Sequence, residues 1–394
     1  MKRIAAVVAV LVVLAGAAPA VSGQSDGTAN GEAYTGTNVS FETNGSAIAD
    51  YAVGGETVLE AVAVQSKSET QSDAGIGADA SLSAVSSFDG SALSLESRTK
   101  VNASVSADSG ATLEAHDNEH GILVVNAGGE EGQYVRANVS SDAEAETEGD
   151  RVVVTTANGT TGAFVVVGDG NVTVTEEGDV AAELGADDKL VFRSYVGERS
   201  QDDREQERLI SDGKAAAEVH VMQRGGEMVT DVVTYANDTT VETAEQSENA
   251  VRMTVDRTSD EGTVLVTSVS EAAGDVSVTV DGEAAAEASS YGELESAANG
   301  GDSSAYMVTE GSADVLVAVN HFSEREVAIE GNETETSDGT ETDDGTDDAA
   351  DTESGNGGNG DDESGTSSTE MPGFGVGAGL LAVLSSAFAL VGRN

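Results

Sequence analysis

Along this chain, apolar and polar residues alternate over short stretches far more often than they recur with a helical period. Arg-Val-Val-Val-Thr at 151–155, Ala-Phe-Val-Val-Val at 163–167 and Ala-Asp-Val-Leu-Val-Ala-Val at 313–319 are β-branched runs of strand length. Such residues fit a pleated surface. Residues 57–115 alternate small and polar side chains, as in 58–64 and 91–96. That pattern suits strands with one buried face over a core thinned by Ala and Ser. A β-sandwich and a β-solenoid satisfy it equally.

Turns are marked without proline, which is absent between 34 and 330. Asn158-Gly159, Asp169-Gly170 and Asp281-Gly282 separate or end apolar runs and read as hairpin turns, so a mainly antiparallel chain is expected. One segment carries a helical signature. At 201–210, Glu205 and Arg208 share a helix face, and Ser211, Asp212 and Gly213 supply a stop. The expected fold is therefore mainly β, with two β-rich domains at 34–198 and 214–330 joined by a helical connector at 199–213. Both read as sandwich-like, with the solenoid as the alternative for the first. Asp-Gly-Lys-Ala-Ala-Ala-Glu at 212–218 nearly recurs as Asp-Gly-Glu-Ala-Ala-Ala-Glu at 281–287, which raises the question of an internal repeat.

Composition adds a second layer. The chain holds 72 acidic residues against 18 Lys and Arg, for a formal net charge of −54. No basic footprint exists for nucleic acid or an anionic membrane surface. High acidity with few aromatics is also a mark of disorder, but the β-branched runs argue for a folded body over 34–330. With five Lys and abundant Ala, Val, Gly and Thr, the chain resembles the proteins of extreme halophiles. That resemblance implies salt-dependent folding, because at molar ionic strength the Debye length falls to about 3 Å and carboxylate repulsion is screened. The absence of Cys excludes disulfides, thiolate metal sites, thiol catalysis and a cysteine-linked lipid anchor.

The two ends point outward. Lys2 and Arg3 precede an apolar run over 4–15, and Ala18, Pro19 and Ala20 give the small-x-small pattern of a signal-peptidase site. Cleavage after Ala20 or after Gly23 fits equally, so 1–23 reads as a signal peptide. Residues 331–370 are acidic and rich in Thr, Ser and Gly, the composition of a disordered, self-repelling stalk. Its Asp runs lack the order of a calcium loop. Residues 375–391 are apolar apart from Ser385 and Ser386, long enough as a transmembrane helix to span about 26 Å, and Arg393 follows.

Pro372, Gly373 and Phe374 ahead of that helix and its short basic tail resemble the PGF-CTERM sorting signal of haloarchaeal surface proteins. The resemblance covers 371–394. It implies processing by an archaeosortase, loss of the helix and attachment of a prenyl-derived lipid, by a logic parallel to a GPI signal. An ordinary single-pass anchor is the alternative. The partners implied are the export machinery, signal peptidase and archaeosortase during maturation, then other envelope proteins and the membrane itself. The body resembles uncharacterised haloarchaeal secreted proteins, which implies no activity.

Candidate chemistry is sparse. His116, Glu119 and His120 spell the His-x-x-Glu-His motif of inverted zinc proteases, whose two imidazoles bind zinc from one helix face while the Glu activates water. Here the flanking residues read as strand, turn, strand, so a solvated, acid-rich turn is expected. His220 and His321 lie in apparent strands and read as structural. The fingerprint-like glycines at 75–80 follow no apolar strand, and no nucleophile elbow or Walker loop occurs. With no Trp and seven scattered Tyr, a sugar-stacking platform is disfavoured.

Glycosylation sequons stand at Asn38, Asn44, Asn102, Asn138, Asn158, Asn171, Asn237 and Asn332, all in the part expected to face outside. The sequence thus predicts no catalytic residue and no cofactor, and a non-enzymatic, salt-adapted glycoprotein anchored on the outer cell surface. The alternatives are an exported zinc-dependent hydrolase using His116, Glu119 and His120, and an extracellular ligand- or cation-binding protein.

Overall fold

The computed structural model describes residues 31–74, 88, 90–129, 132–247, 250–269, 276–309, 314–321 and 324–331. The stretches read as signal peptide (1–23) and sorting signal (371–394), Asn332, and all but the first residue of the expected stalk at 331–370 lie outside the described residues. All described residues belong to one compact unit, Met1–Glu335.

The described chain is mainly β, and its strands form four sheets. In spatial order, the first sheet comprises Ala33–Thr35, Val39–Asn44, Ala47–Val53, Glu56–Ser66, Gln133–Val139, Val180–Leu184 and Asn171–Val174. The second comprises Ala143–Glu148, Arg151–Thr156, Thr161–Val167, Lys189–Tyr195, Leu123–Asn126, Thr112–His116, Asn102–Ala107 and Leu93–Arg98. Every pairing in these two sheets is antiparallel, unlike the stacked parallel coils of a β-solenoid.

The later chain builds the other two sheets. The third runs Glu227–Thr234, Ala215–Arg224, Glu261–Val269, Asp314–His321, Ala305–Val308 and Ala286–Glu287. It contains two parallel pairings, Ala215–Arg224 with Glu261–Val269 and Ala286–Glu287 with Ala305–Val308. The fourth runs Thr239–Gln246, Ala250–Arg257, Glu324–Gly331, Val276–Val280 and Glu283–Ala284.

The sheets stack in four layers because side chains of the inner two alternate between opposite cores. From the second sheet, Leu123, Val125, Phe164 and Phe192 join the first sheet's Tyr51, Val62 and Val135 in one cluster. Their strand neighbours Ile122, Val124, Val165 and Val191 face the other way, toward Val264, Val266, Leu316 and Ala318 of the third sheet. Leu265 and Val317 then turn to Met253, Val327 and Ile329 of the fourth. Strands buried on both faces read as continuous apolar runs, which is why 163–167 shows no alternation.

Among the described residues three helices complete the fold: α1 (Lys67–Ala74), α2 (Gln201–Ser211) and α3 (Tyr291–Ala298). The signature at 201–210 is borne out. Ser200 caps α2 in a reciprocal capping box with Asp203, and Arg208 pairs with Glu205 at 2.9 Å. Leu209 and Ile210 on its inner face enter the core between the second and third sheets, as do Leu294 and Ala298 of α3. The polar α1 carries no apolar stripe to reveal it.

Of the three hairpin turns read from sequence, two close hairpins. Asn158-Gly159 links Arg151–Thr156 to Thr161–Val167, and Asp281-Gly282 links Val276–Val280 to Glu283–Ala284. Both turn residues of the second have positive φ, 53° and 78°, as a type I′ turn requires. Asp169-Gly170 instead carries the chain from the second sheet to the first. Asp188 fixes this crossing, its carboxylate accepting from Asp169 N and Gly185 N at 3.1 and 2.7 Å. The near-repeat has no structural counterpart: 212–218 leaves α2 for a buried strand, whereas 281–287 forms a turn and two exposed two-residue strands.

Candidate functional site

Between the second and third sheets, the apolar core gives way to buried polar and charged side chains, and the 116–120 segment lies at its heart. His116 ends the strand Thr112–His116, and a turn leads to Leu123–Asn126. The strand-turn-strand reading holds, but the turn is not solvated. His116, Asp117, Asn118 and His120 are all buried, and only Glu119 is exposed, at 60%.

Each buried residue of the turn ties down a different part of the fold. His116 Nδ1 lies 2.8 Å from Asp231 Oδ1 in the third sheet, and Asn118 Nδ2 donates to Asp231 Oδ2 at 2.9 Å. The Asp117 carboxylate accepts three backbone N–H bonds, from Thr37, Asn38 and Val39 at 2.6–2.7 Å, anchoring the loop between the first sheet's strands Ala33–Thr35 and Val39–Asn44. Its own carbonyl accepts from Arg224. His120 Nδ1 is 3.1 Å from the carbonyl of Ser194, whose Oγ donates to the carbonyl of His120. Glu119 turns outward, accepting from Ser268 Oγ at 2.7 Å.

The third sheet supplies the opposite wall. His220 and Asp231 are cross-strand partners, and Glu218 lies two residues before His220 on the same face. Glu218 is held by Arg193 at 2.9 Å, by His220 Nε2 at 2.8 Å and by the Tyr235 hydroxyl, which donates at 2.6 Å. Arg193 also donates to Gln206 of α2, whose amide reaches Asp314. The His120 and His220 rings meet edge-on, 5.8 Å between centroids. Nearby, Arg151 and Arg199 both bond one oxygen of Glu207.

Burial disfavours charge at every one of these groups, so the outcome depends on partners. Burial lowers both His116 and His220, but Asp231 more than reverses it for the first and Glu218 for the second, leaving both above the usual imidazole range. Burial, with Arg193 beside it, holds His120 below that range. Burial raises Glu218, but Arg193 and His220 drive its carboxyl well below the usual value. The chemistry favoured here is the holding of fixed charges in a dry interface.

The zinc-protease pattern does not form. Its helix is a turn, His116 and His120 engage partners on different strands, and Glu119 points away to Ser268. Among the described residues no group of three His, Asp or Glu is placed to hold a metal ion. Of the other histidines, His220 joins the first pair, which its position in sequence gave no reason to expect. His321 stays apart, exposed at the rim of a 550 Å³ cleft where Lys214 pairs with Glu295, and Arg257 with Asp238 at 3.0 Å.

Arg193, Glu218 and Asp231 were not singled out from the sequence, although a signal was present. Each is a charge inside a strand with an apolar residue beside it, as in Leu-Val-Phe-Arg at 190–193, and charges seldom occupy such positions unless paired. Of the sequons, Asn44, Asn158, Asn171 and Asn237 are exposed, whereas Asn38, Asn102 and Asn138 are half-buried. No family model matches the chain, and no curated protein is significantly similar to it.

Proposed function

We propose that this chain is a non-enzymatic, salt-adapted cell-surface protein, in which two sandwich-like β modules are carried on an acidic stalk and held at the membrane through the C-terminal signal. The observation that carries the reading is the pairing of an export signal at 1–23 with Pro372, Gly373, Phe374, an apolar stretch and Arg393 at the other end. The body supports it. The buried cluster of His116, His120, His220, Glu218 and Asp231 is occupied in joining sheets, Glu218 and Asp231 each taking bonds from residues of the second sheet. The exposed Asn44, Asn158 and Asn171 are the sequons best placed to carry sugar.

In this reading the working surface is the acidic exterior, and the partners are other envelope components met in high salt. The test is fractionation of the native cell in molar salt, followed by intact-mass measurement of the membrane-extracted protein. Loss of 1–23 and truncation near Phe374 with an added lipid is the expected result. A chain that ends at Asn394 with its apolar helix retained overturns the sorting step in favour of a single-pass anchor. Recovery from the cytosol with 1–23 intact overturns the whole reading.

A further inference from the structure

Four lysines are described, and three of them pair with carboxylates: Lys67 with Glu183 at 3.0 Å, Lys100 with Glu227 at 2.5 Å, and Lys214 with Glu295. Lys189 differs. It is 6% exposed, and among the described residues no carboxylate lies within ion-pair distance of its amine, even in a chain with 72 acids. Its Nζ donates to the carbonyl of Thr234 at 2.9 Å, across the seam between the second and third sheets.

The same side chain lines a 320 Å³ cleft at that seam, with Thr112, Glu114, Asn126, Asp187 and Asn237 also in the wall. Register sets Lys189 beside Asn126, and Asn126 beside Thr112, in one row across the second sheet. Asn237 closes the far lip by donating to the carbonyl of Asp187 at 2.8 Å. The remaining acid of the wall, Asp188, has its carboxylate engaged by the amides of Asp169 and Gly185.

We propose that this cleft is a reversible covalent binding site for a small neutral hydroxyaldehyde, with Lys189 as the nucleophile that forms an imine. The amine is desolvated and lacks the carboxylate partner that would hold it as ammonium. Once neutral it still has N–H groups to donate to Thr234, and its lone pair is free. Burial lowers it to about 8, against the mild opposing pull of Glu114. Amide, hydroxyl and carboxylate groups in the wall suit a ligand bearing hydroxyls, while Glu114 and Asp187 disfavour an anionic one.

The step balances without any other reagent. The nitrogen lone pair forms the C–N bond as the carbonyl π pair moves to oxygen. One proton passes from nitrogen to that oxygen by way of solvent, giving the carbinolamine; a second follows the same route, and the oxygen leaves as water as the C=N bond forms. Hydrolysis reverses it. This is capture of a ligand rather than turnover, and it goes beyond the surface-protein reading without depending on it.

The experiment treats the purified full chain in molar KCl with glycolaldehyde and cyanoborohydride, which reduces the imine to a stable amine, and measures labelling at each lysine by peptide mass mapping. At neutral pH Lys189 is expected to label at least about tenfold faster than the exposed Lys100, whose amine is paired with Glu227. Its rate should level off above about pH 8. Lys189→Arg, which keeps a donor for Thr234, should lose the label and leave Lys100 unchanged. Labelling of Lys189 no faster than Lys100 overturns the proposal, because that is the behaviour of a lysine sealed beneath Thr234. The wild-type comparison between lysines stands even if the variant does not fold.

Discussion

His116 Nδ1 lies 2.8 Å from Asp231 Oδ1, and through this contact the turn leaving the second sheet grips the third. The two side chains are 3% and 0% exposed, so neither can turn to water if the other is lost. Breaking a buried pair from one side costs about 3–5 kcal/mol. Asp231→Ala should therefore lower the midpoint of chemical denaturation in molar salt far more than the same change at an exposed acid such as Glu144.

The three buried histidines impose opposite pH dependences. His116 and His220 have folded values above the unfolded one of about 6.5, so their stabilisation is complete below that pH and is lost as pH rises through the folded values. His120 is lowered, so its share is present above about 6.5 and is lost as pH falls, when the unfolded chain takes up the proton first. Stability measured against pH should fall on both sides. His116→Gln should flatten the alkaline limb and His120→Gln the acid limb, and unchanged limbs would contradict the assignment.

Asp117 is a second point of attachment, with its carboxylate beneath the amides of Thr37, Asn38 and Val39. Asp117→Asn turns one acceptor oxygen into an NH₂ group facing an N–H donor. Bonds to a charged acceptor are worth roughly 1.5–3 kcal/mol each. Amide hydrogen exchange at 37–39 should accelerate by one to two orders of magnitude, more than exchange in Val276–Val280 of the fourth sheet.

Gly262 sits where α3 meets the third sheet. A Cβ there would come within 2.0 Å of the Ala298 carbonyl and 2.4 Å of the Val319 carbonyl, both backbone atoms with little room to yield. Gly262→Ala should cost about 1–3 kcal/mol, as overpacking does. Gly225→Ala is the contrast: its φ of +61° carries the left-handed penalty, but nothing lies within 4 Å of the new methyl. Urea melts of the two variants should rank them in that order.

Part of the chain's small set of cations is drawn into the interior. Arg193 and Arg199 are buried, and Arg151 and Arg224 nearly so, each engaged with a carboxylate or carbonyl of the seam. The 18 Lys and Arg are too few to offset 72 acids. Surface repulsion should unfold the chain in dilute buffer, with the strand signal in circular dichroism restored by molar KCl. A spectrum that is unchanged on dilution would refute this.

Much of the fold was legible because it depends on local pattern. Continuous apolar runs such as Ala-Phe-Val-Val-Val mark the strands buried on both faces, while the charged alternation of Thr239–Gln246 marks an edge. The signature of α2 and the turns at Asn158 and Asp281 rest on the conformational preferences of a few neighbouring residues. The crossing at Asp169-Gly170 did not, since Asp188, nineteen residues away, decides it.

The sequence by itself determined the strand-rich character, the helix at 201–210 and the acidity. Tertiary structure alone decided that His116, His120 and His220 meet, and that a turn of polar letters lies in the interior. The reason is physical. Whether a charged side chain is solvated or buried depends on what covers it, and His116 is covered by a residue 115 positions away whose carboxylate offsets the loss of water.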